Sequence, residues 1–286
     1  MAPTAYNYST SLKSDLSDEP VNVYLQRPLA GLLVRILYPT AVTPNQVTLA
    51  AIVFGIAGAI FIPFGGGMLS AAGALVYLKD IFDSADGQLA RAKQLYSRRG
   101  RFLDSIGDFA VNLLLFAGIG ILMFRRGYSA AGSLGLALCG FLGVTLRVSY
   151  HVFYQTAFLH TFSEYQTNRL SEEFREEDYG QDPTTRRLQR MFQLLYGWQD
   201  RLMAGIDRIG RRGIEDPSTL EMWYRDVFGL RLGGMLGLGT EYVMMTICLL
   251  LQSPEAYLIG SLGVLNLFWI AAVLYRSTLL RGRLLR

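Results

Sequence analysis

The segment DSADGQLARAKQLYSRRGRFLDSIGD, residues 83–108, decides how this chain is read. Within it Asp83, Asp86, Gly87, Ala90, Arg91, Gly100, Asp104 and Asp108 form the pattern D-x2-D-G-x2-A-R-x8-G-x3-D-x3-D. The first five fall at i, i+3, i+4, i+7 and i+8, which is one face of a helix. Asp104 and Asp108, at i and i+4, share a face of the next helix. Residues 92–103, rich in arginine, read as a connection between two antiparallel helices, so the carboxylate pairs would face each other. At ~5 Å and an effective dielectric of about 20, each like-charge pair costs roughly 3 kcal/mol. Protons or divalent cations must offset that cost. With no His or Cys nearby, all-oxygen ligation suits Mg2+ or Mn2+, and two ions would balance four carboxylates and still attract a diphosphate. Gly87 and Ala90 keep the carboxylate face low enough for something flat, such as a nucleotide. Gly100 permits close approach just before the second helix. Arg91 offers a forked donor suited to phosphate oxygens. The competing reading is a set of surface carboxylates that cap and solvate two helix ends. It suits a lone D-x2-D pair better than eight residues in register between apolar segments of membrane length.

The rest of the chain supplies those segments. Hydrophobic residues make up 51% of the 286 and charged residues 17%, with 30 glycines, as close-packed membrane helices require. Mean hydropathy is +0.26. Apolar length predicts six membrane helices, at about 46–65, 68–90, 104–124, 129–150, 228–251 and 255–276. The expected fold is therefore all-α and polytopic. Residues 1–40 form a cytosolic N-terminus, and residues 41–286 a six-helix membrane domain that contains a cytosolic amphipathic insertion at 151–226. The first 20 residues are polar, so no cleavable signal is expected. With the N-terminus in the cytosol, Arg125 and Arg126 fall on the far side and the other 25 of the 27 basic residues on the near side. That imbalance predicts cytosolic termini and a cytosolic carboxylate cluster. The net charge of +4 fits an anionic leaflet and calls for no nucleic-acid partner. Cys139 and Cys248 lack metal or redox spacing and read as buried thiols. His151 and His160 belong to no catalytic constellation.

Two amphipathic stretches flank the bundle. Residues 20–38, with Leu29, Leu32, Leu33, Ile36 and Leu37 beside Arg27 and Arg35, read as a helix lying on the inner leaflet. Between 184 and 212, Leu188, Met191, Phe192, Leu195, Trp198, Leu202, Ile206 and Ile209 recur every three or four positions with arginines interleaved. This is either a membrane-surface helix or a lid over the active site. The acidic stretch Ser171 to Asp182 before it reads as a solvated loop. Lys79, one turn before Asp83, would reach a phosphate or pair with a carboxylate. Asp80 shares its face. Arg147 and Arg231 would hold a phosphate or snorkel to the interface. Glu241, inside the fifth apolar segment, is a functional suspect by its position, with no evident partner.

The pattern at 83–108 resembles, at every fixed position, the signature of the CDP-alcohol phosphotransferases, also called CDP-alcohol phosphatidyltransferases. Thr43-Pro44-Asn45-Gln46-Val47-Thr48 resembles that family's entry to its first membrane helix. The resemblance covers roughly residues 20–150, and beyond that only the membrane pattern agrees. It implies transfer of a substituted phosphate group from a CDP-alcohol donor to the hydroxyl of an alcohol or lipid acceptor, with release of CMP. It places cytidine and diphosphate near Asn45, Thr48, Gly87, Ala90, Arg91 and Gly100. It assigns two metal ions to Asp83, Asp86, Asp104 and Asp108, makes Asp108 the general base, and implies a homodimer. The donor, lipid or soluble, stays open. Two other readings compete: a Mg2+-dependent membrane prenyltransferase and a cation transporter that binds ions without turnover.

Overall fold

The computed structural model describes residues 6–12, 18–162 and 169–280, which form eleven α-helices and no strand. In chain order these are α1 Arg27–Leu37, α2 Pro44–Phe61, α3 Gly67–Ala92, α4 Arg98–Arg125, α5 Ala130–His160, α6 Pro183–Gly210, α7 Pro217–Tyr224, α8 Val227–Gly234, α9 Leu238–Leu250, α10 Pro254–Ile259 and α11 Asn266–Thr278. Local chemistry sets the helix starts. At α2, Pro44 occupies the first turn, and the Gln46 side chain accepts the Thr43 N–H at 2.8 Å. Ser97 accepts the Gly100 N–H at 3.0 Å to begin α4, and Asp182 accepts from Thr184 and Thr185 to begin α6.

Five helical stretches are long and apolar enough to cross a membrane: Pro44–Phe64, Arg98–Arg125, Ala130–His160, Val227–Leu250 and Pro254–Thr278. The sixth expected segment, 68–90, lies in α3, which has 26 residues, but Lys79, Asp80, Asp83 and Asp86 set its composition apart from the other five. Its charged half is packed inward. One apolar core joins α2, α3, α4 and α9 through Ala59, Val76, Val111, Leu115, Ile119, Tyr242 and Met245. Helices α2 and α4 approach so closely at Gly107 that an added Cβ would lie 2.3 Å from Ile52 Cδ1. A second cluster, with Tyr150, Tyr154, Met203, Trp223 and Leu230, ties α5 to α6, α7, α8 and α11. In the third, Ala30 and Val34 of α1 pack on Val47, Ala85 and Leu89, while Leu32 and Ile36 stay exposed. This is the amphipathic division expected for residues 20–38.

The structure corrects several expectations. Helix α5 runs ten residues past 150, so the stretch 151–160 continues a helix rather than opening the insertion. The fifth apolar segment is two helices, since Gly233, Gly234 and Gly237 allow a break at Met235–Gly237. Glu241 therefore sits in the first turn of α9, not in mid-helix. The sixth segment contains a π-helical stretch, Gly260–Leu265, between α10 and α11. Cys139 is exposed on the outside of α5 and Cys248 is half-buried, so neither is a core thiol. The acidic stretch is not a solvated loop throughout. Glu172 and Asp178 are buried in ion pairs with arginines, while Glu173, Glu176 and Glu177 are exposed.

Candidate active site

The turn between α3 and α4 brings the two carboxylate pairs together. Oxygens of Asp83, Asp104 and Asp108 lie within 4.8 Å of one another. Asp86 stands apart from this trio and accepts a hydrogen bond from the Thr48 hydroxyl. Lys79, 1% exposed, is the fixed counter-charge: its ammonium bonds Asp108, lies 3.3 Å from Asp83 and sits 4.6 Å from the centre of the Tyr242 ring. Of the two roles expected for Lys79, the structure adopts the carboxylate pair. Asp80 is buried and accepts from Gln26 just before α1.

One ammonium does not neutralise three carboxylates, and Asp104 Oδ1 is buried with no hydrogen-bond partner. An orphaned oxygen facing two further carboxylates suits a hard divalent cation. Asp83, Asp104 and Asp108 would hold it.

Beside the trio opens a cavity of about 390 Å³. Asn45, Thr48, Asp86, Gly87, Ala90, Arg91, Gly100, Asp104 and Asp108 all line it. A Cβ on Gly100 would lie 2.8 Å from Asn45 Oδ1, so the bare backbone is what lets α4 meet the start of α2. The Arg91 guanidinium lies over Gly87, and its Nε donates to the Ser11 carbonyl at 2.6 Å. Arg91 is thereby held at the rim, with its remaining N–H groups free to point inward.

Arg147 is not part of this cavity. It is fully buried, donating to Glu241 at 3.0 Å and to the Ser261 hydroxyl at 2.8 Å, with Asn266 at 2.5 Å. Neither the phosphate-binding expectation nor interfacial snorkelling applies to it, because its charge is spent on Glu241. Arg231, in contrast, is exposed.

Sequence reasoning missed the opposite wall. Phe192, Tyr196 and Asp200 of α6 line the cavity at i, i+4 and i+8, across from Ser149, Val152 and Thr156 of α5. Tyr196 donates its hydroxyl to the Ser105 carbonyl at 2.7 Å, between Asp104 and Asp108 in sequence, and Phe192 packs on Phe102 with ring centres 5.3 Å apart. The i, i+4, i+8 spacing was the available signal. Its polar members were hidden by the apolar stripe, whose Met191, Trp198, Leu202 and Ile209 face outward, as does Leu194. Helix α6 therefore has an inner face that lines the cavity and an exposed apolar face.

Comparison with known proteins places part of the chain beside a known family. Residues 41–167 match the family model for CDP-alcohol phosphatidyltransferase. A bifunctional IPC transferase and DIPP synthase of Rubrobacter xylanophilus is 34% identical over 121 residues, which are 42% of this chain and 27% of that protein. A protein of the same name from Archaeoglobus fulgidus is 37% identical over 81 residues, 28% of this chain and 16% of the relative. The chain thus matches about a quarter or less of these relatives' length, while the family-model range 41–167 holds the aspartate trio and the Asn45–Thr48 edge of the cavity. Residues 41–167 are thus the part of the chain that is similar to the CDP-alcohol phosphatidyltransferase family.

Proposed function

We propose that the chain is a membrane transferase moving a substituted phosphate group from a CDP-alcohol to an acceptor hydroxyl, with release of CMP. The observation that carries this reading is the convergence of Asp83, Asp104 and Asp108 at the edge of a cavity whose remaining near wall is Asn45, Thr48, Gly87, Arg91 and Gly100. In this reading the cytidine lies between Asn45 and Gly87, against the low surface that the two glycines leave. Arg91 grips a phosphate oxygen with its forked donors. The Thr48–Asp86 bond holds the nucleotide side rigid. Asp108 accepts the proton of the acceptor hydroxyl as its oxygen bonds to the phosphorus remote from cytidine. The bond from that phosphorus to the bridging oxygen breaks, and CMP leaves with the electron pair. Lys79 orients Asp108 and balances its charge. Two Mg2+ or Mn2+ ions are the proposed complement of Asp83, Asp86, Asp104 and Asp108, and when bound they would offset negative charge on the diphosphate and the leaving CMP. The reading includes six membrane spans, with α3 as the second, a cytosol-facing site and termini, and a homodimer.

The test is CMP release by the purified chain with Mg2+ across a panel of CDP-alcohols. Release is expected from one donor class, and Asp108→Asn should lower it by about 10²–10⁴-fold while leaving CMP binding intact. Thermal stabilisation by a prenyl diphosphate in place of CDP or CMP would overturn the reading in favour of a prenyltransferase. Binding of Mg2+ by a chain that binds neither CDP nor CMP would favour an ion carrier.

A further inference from the structure

The half of the cavity away from Asn45 and Gly87 is built by α5 and α6, and α6 lies wholly beyond the matched residues 41–167. Its charged groups are not equivalent. Arg101 and Arg169 line this half, but Arg101 bonds Glu172, and Arg169 pairs with Asp178 and Glu177. Asp200 also lines it and, among the described residues, makes no hydrogen bond or ion pair. It is a half-buried carboxyl on the cavity wall, with two side chains close to it in sequence that fix its helix. Tyr196 fastens α6 to α4, and Gln199 fastens it to Ser149 of α5. The carboxylate is therefore held in place, and folding gives it no partner. The same cavity is lined by Ser149 and Thr156 with Val152 and Phe192, which mix small hydroxyls with apolar surface. A fixed negative charge there repels a phosphate or carboxylate and favours hydroxyl donors.

We propose that Asp200 recognises a neutral, hydroxyl-bearing portion of the acceptor alcohol, so that this half of the cavity selects unphosphorylated polyol heads. The inference rests on the transferase reading and adds the acceptor class to it. The reacting hydroxyl is delivered to Asp108 from the α6 side, opposite the nucleotide. A second hydroxyl of the same molecule donates to Asp200. Recognition by α6 is a property of this chain rather than of the matched domain, whose residues supply the nucleotide side.

The experiment uses the full chain with Mg2+ and whichever CDP-alcohol releases CMP. Glycerol, sorbitol and inositol are compared as acceptors, each beside its monophosphate. Neutral polyols should support CMP release better than their monophosphates. Asp200→Asn and Asp200→Ala should each raise the polyol KM about tenfold or more, the loss expected for a hydrogen bond to a charged group. Both variants should keep the donor KM and the CMP-induced thermal shift within about twofold of wild type, which separates acceptor recognition from misfolding. The proposal is overturned if the monophosphates are preferred, if both variants leave the polyol KM unchanged, or if donor and acceptor KM rise together. It also fails if no neutral polyol supports release while CMP still stabilises the protein. Absence of CMP stabilisation in the wild-type chain marks failure of the transferase reading itself.

Discussion

Burial pushes the Asp200 carboxyl up to about 6, helped by the charge of Glu172 and opposed by Arg101. The group therefore binds its proton more tightly in the folded chain than in the unfolded one. Its contribution to stability is full below about pH 4 and declines as pH rises through about 6. At pH 7.5 the ionised carboxylate thus weakens the fold. After allowance for its partial exposure the cost is roughly 1–2 kcal/mol. Asp200→Asn should raise the melting temperature at pH 7.5 and leave it unchanged at pH 4, as a pair of calorimetric scans would show. An equal shift at both pH values would mean that ionisation is not the cause. Retaining a charge that destabilises the fold is what a ligand-facing role would explain. Lys79 and Asp108 show the opposite economy at the same scale, since each buried charge has the other as partner.

At the scale of elements, the segment before α6 is held to the first turn of α4 by crossed ion pairs. Arg98 bonds Glu172 at 2.6 Å and Asp178 at 2.5 Å, and Arg101 also reaches Glu172. Gln189 of α6 donates to Asp178 at 3.0 Å and to the Glu172 backbone carbonyl at 3.1 Å, so the Asp178 carboxylate and the Glu172 backbone fix α6 beside the cavity. Burial alone would raise the Asp178 carboxyl, but hydrogen bonds from Arg169, Gln189 and Arg98 outweigh it and hold the group well below the usual range. A depressed value makes its stabilisation complete above about pH 4 and lost progressively as the pH falls below that. Asp178→Asn should therefore destabilise the α6 wall by about 3 kcal/mol at neutral pH, because Arg98 and Arg169 lose the carboxylate they share. Hydrogen exchange of residues 183–193 should speed up in the variant at pH 7, and the gap should narrow as wild type is taken into acid. This network also explains why an acidic run looked solvated in the sequence. The composition of 171–182 is polar, and two of its counter-charges, Arg98 and Arg101, lie more than 70 residues before Glu172.

Across the whole molecule, what was legible in the sequence is what local spacing determines. The 83–108 pattern is close in sequence, so helical periodicity alone brought Asp83, Asp104 and Asp108 to one turn, and apolar length located the membrane-capable helices. Features set by distant segments were not legible: Gln199 of α6 against Ser149 of α5, the break before Glu241, and above all the partner of Glu241. That partner is Arg147, 94 residues away. The pair joins α5 to α9, and Ser261 and Tyr257 complete the Glu241 shell at 2.5 and 2.7 Å, which draws in α10 and the π-helical stretch. Among buried helices such a pair costs much to desolvate, and removing one member leaves an uncompensated charge. Arg147→Met should therefore lower stability in detergent by about 3–5 kcal/mol, and Glu241→Gln should do comparable harm by leaving Arg147 without its counter-ion. The double variant Arg147→Met with Glu241→Leu should recover most of the loss, since apolar side chains of similar size remove both the charge and its partner. CMP release should follow folded fraction in all three, because neither residue lines the cavity. A double variant that folds like wild type yet releases no CMP would show that the pair contributes to turnover rather than only joining the two halves of the bundle.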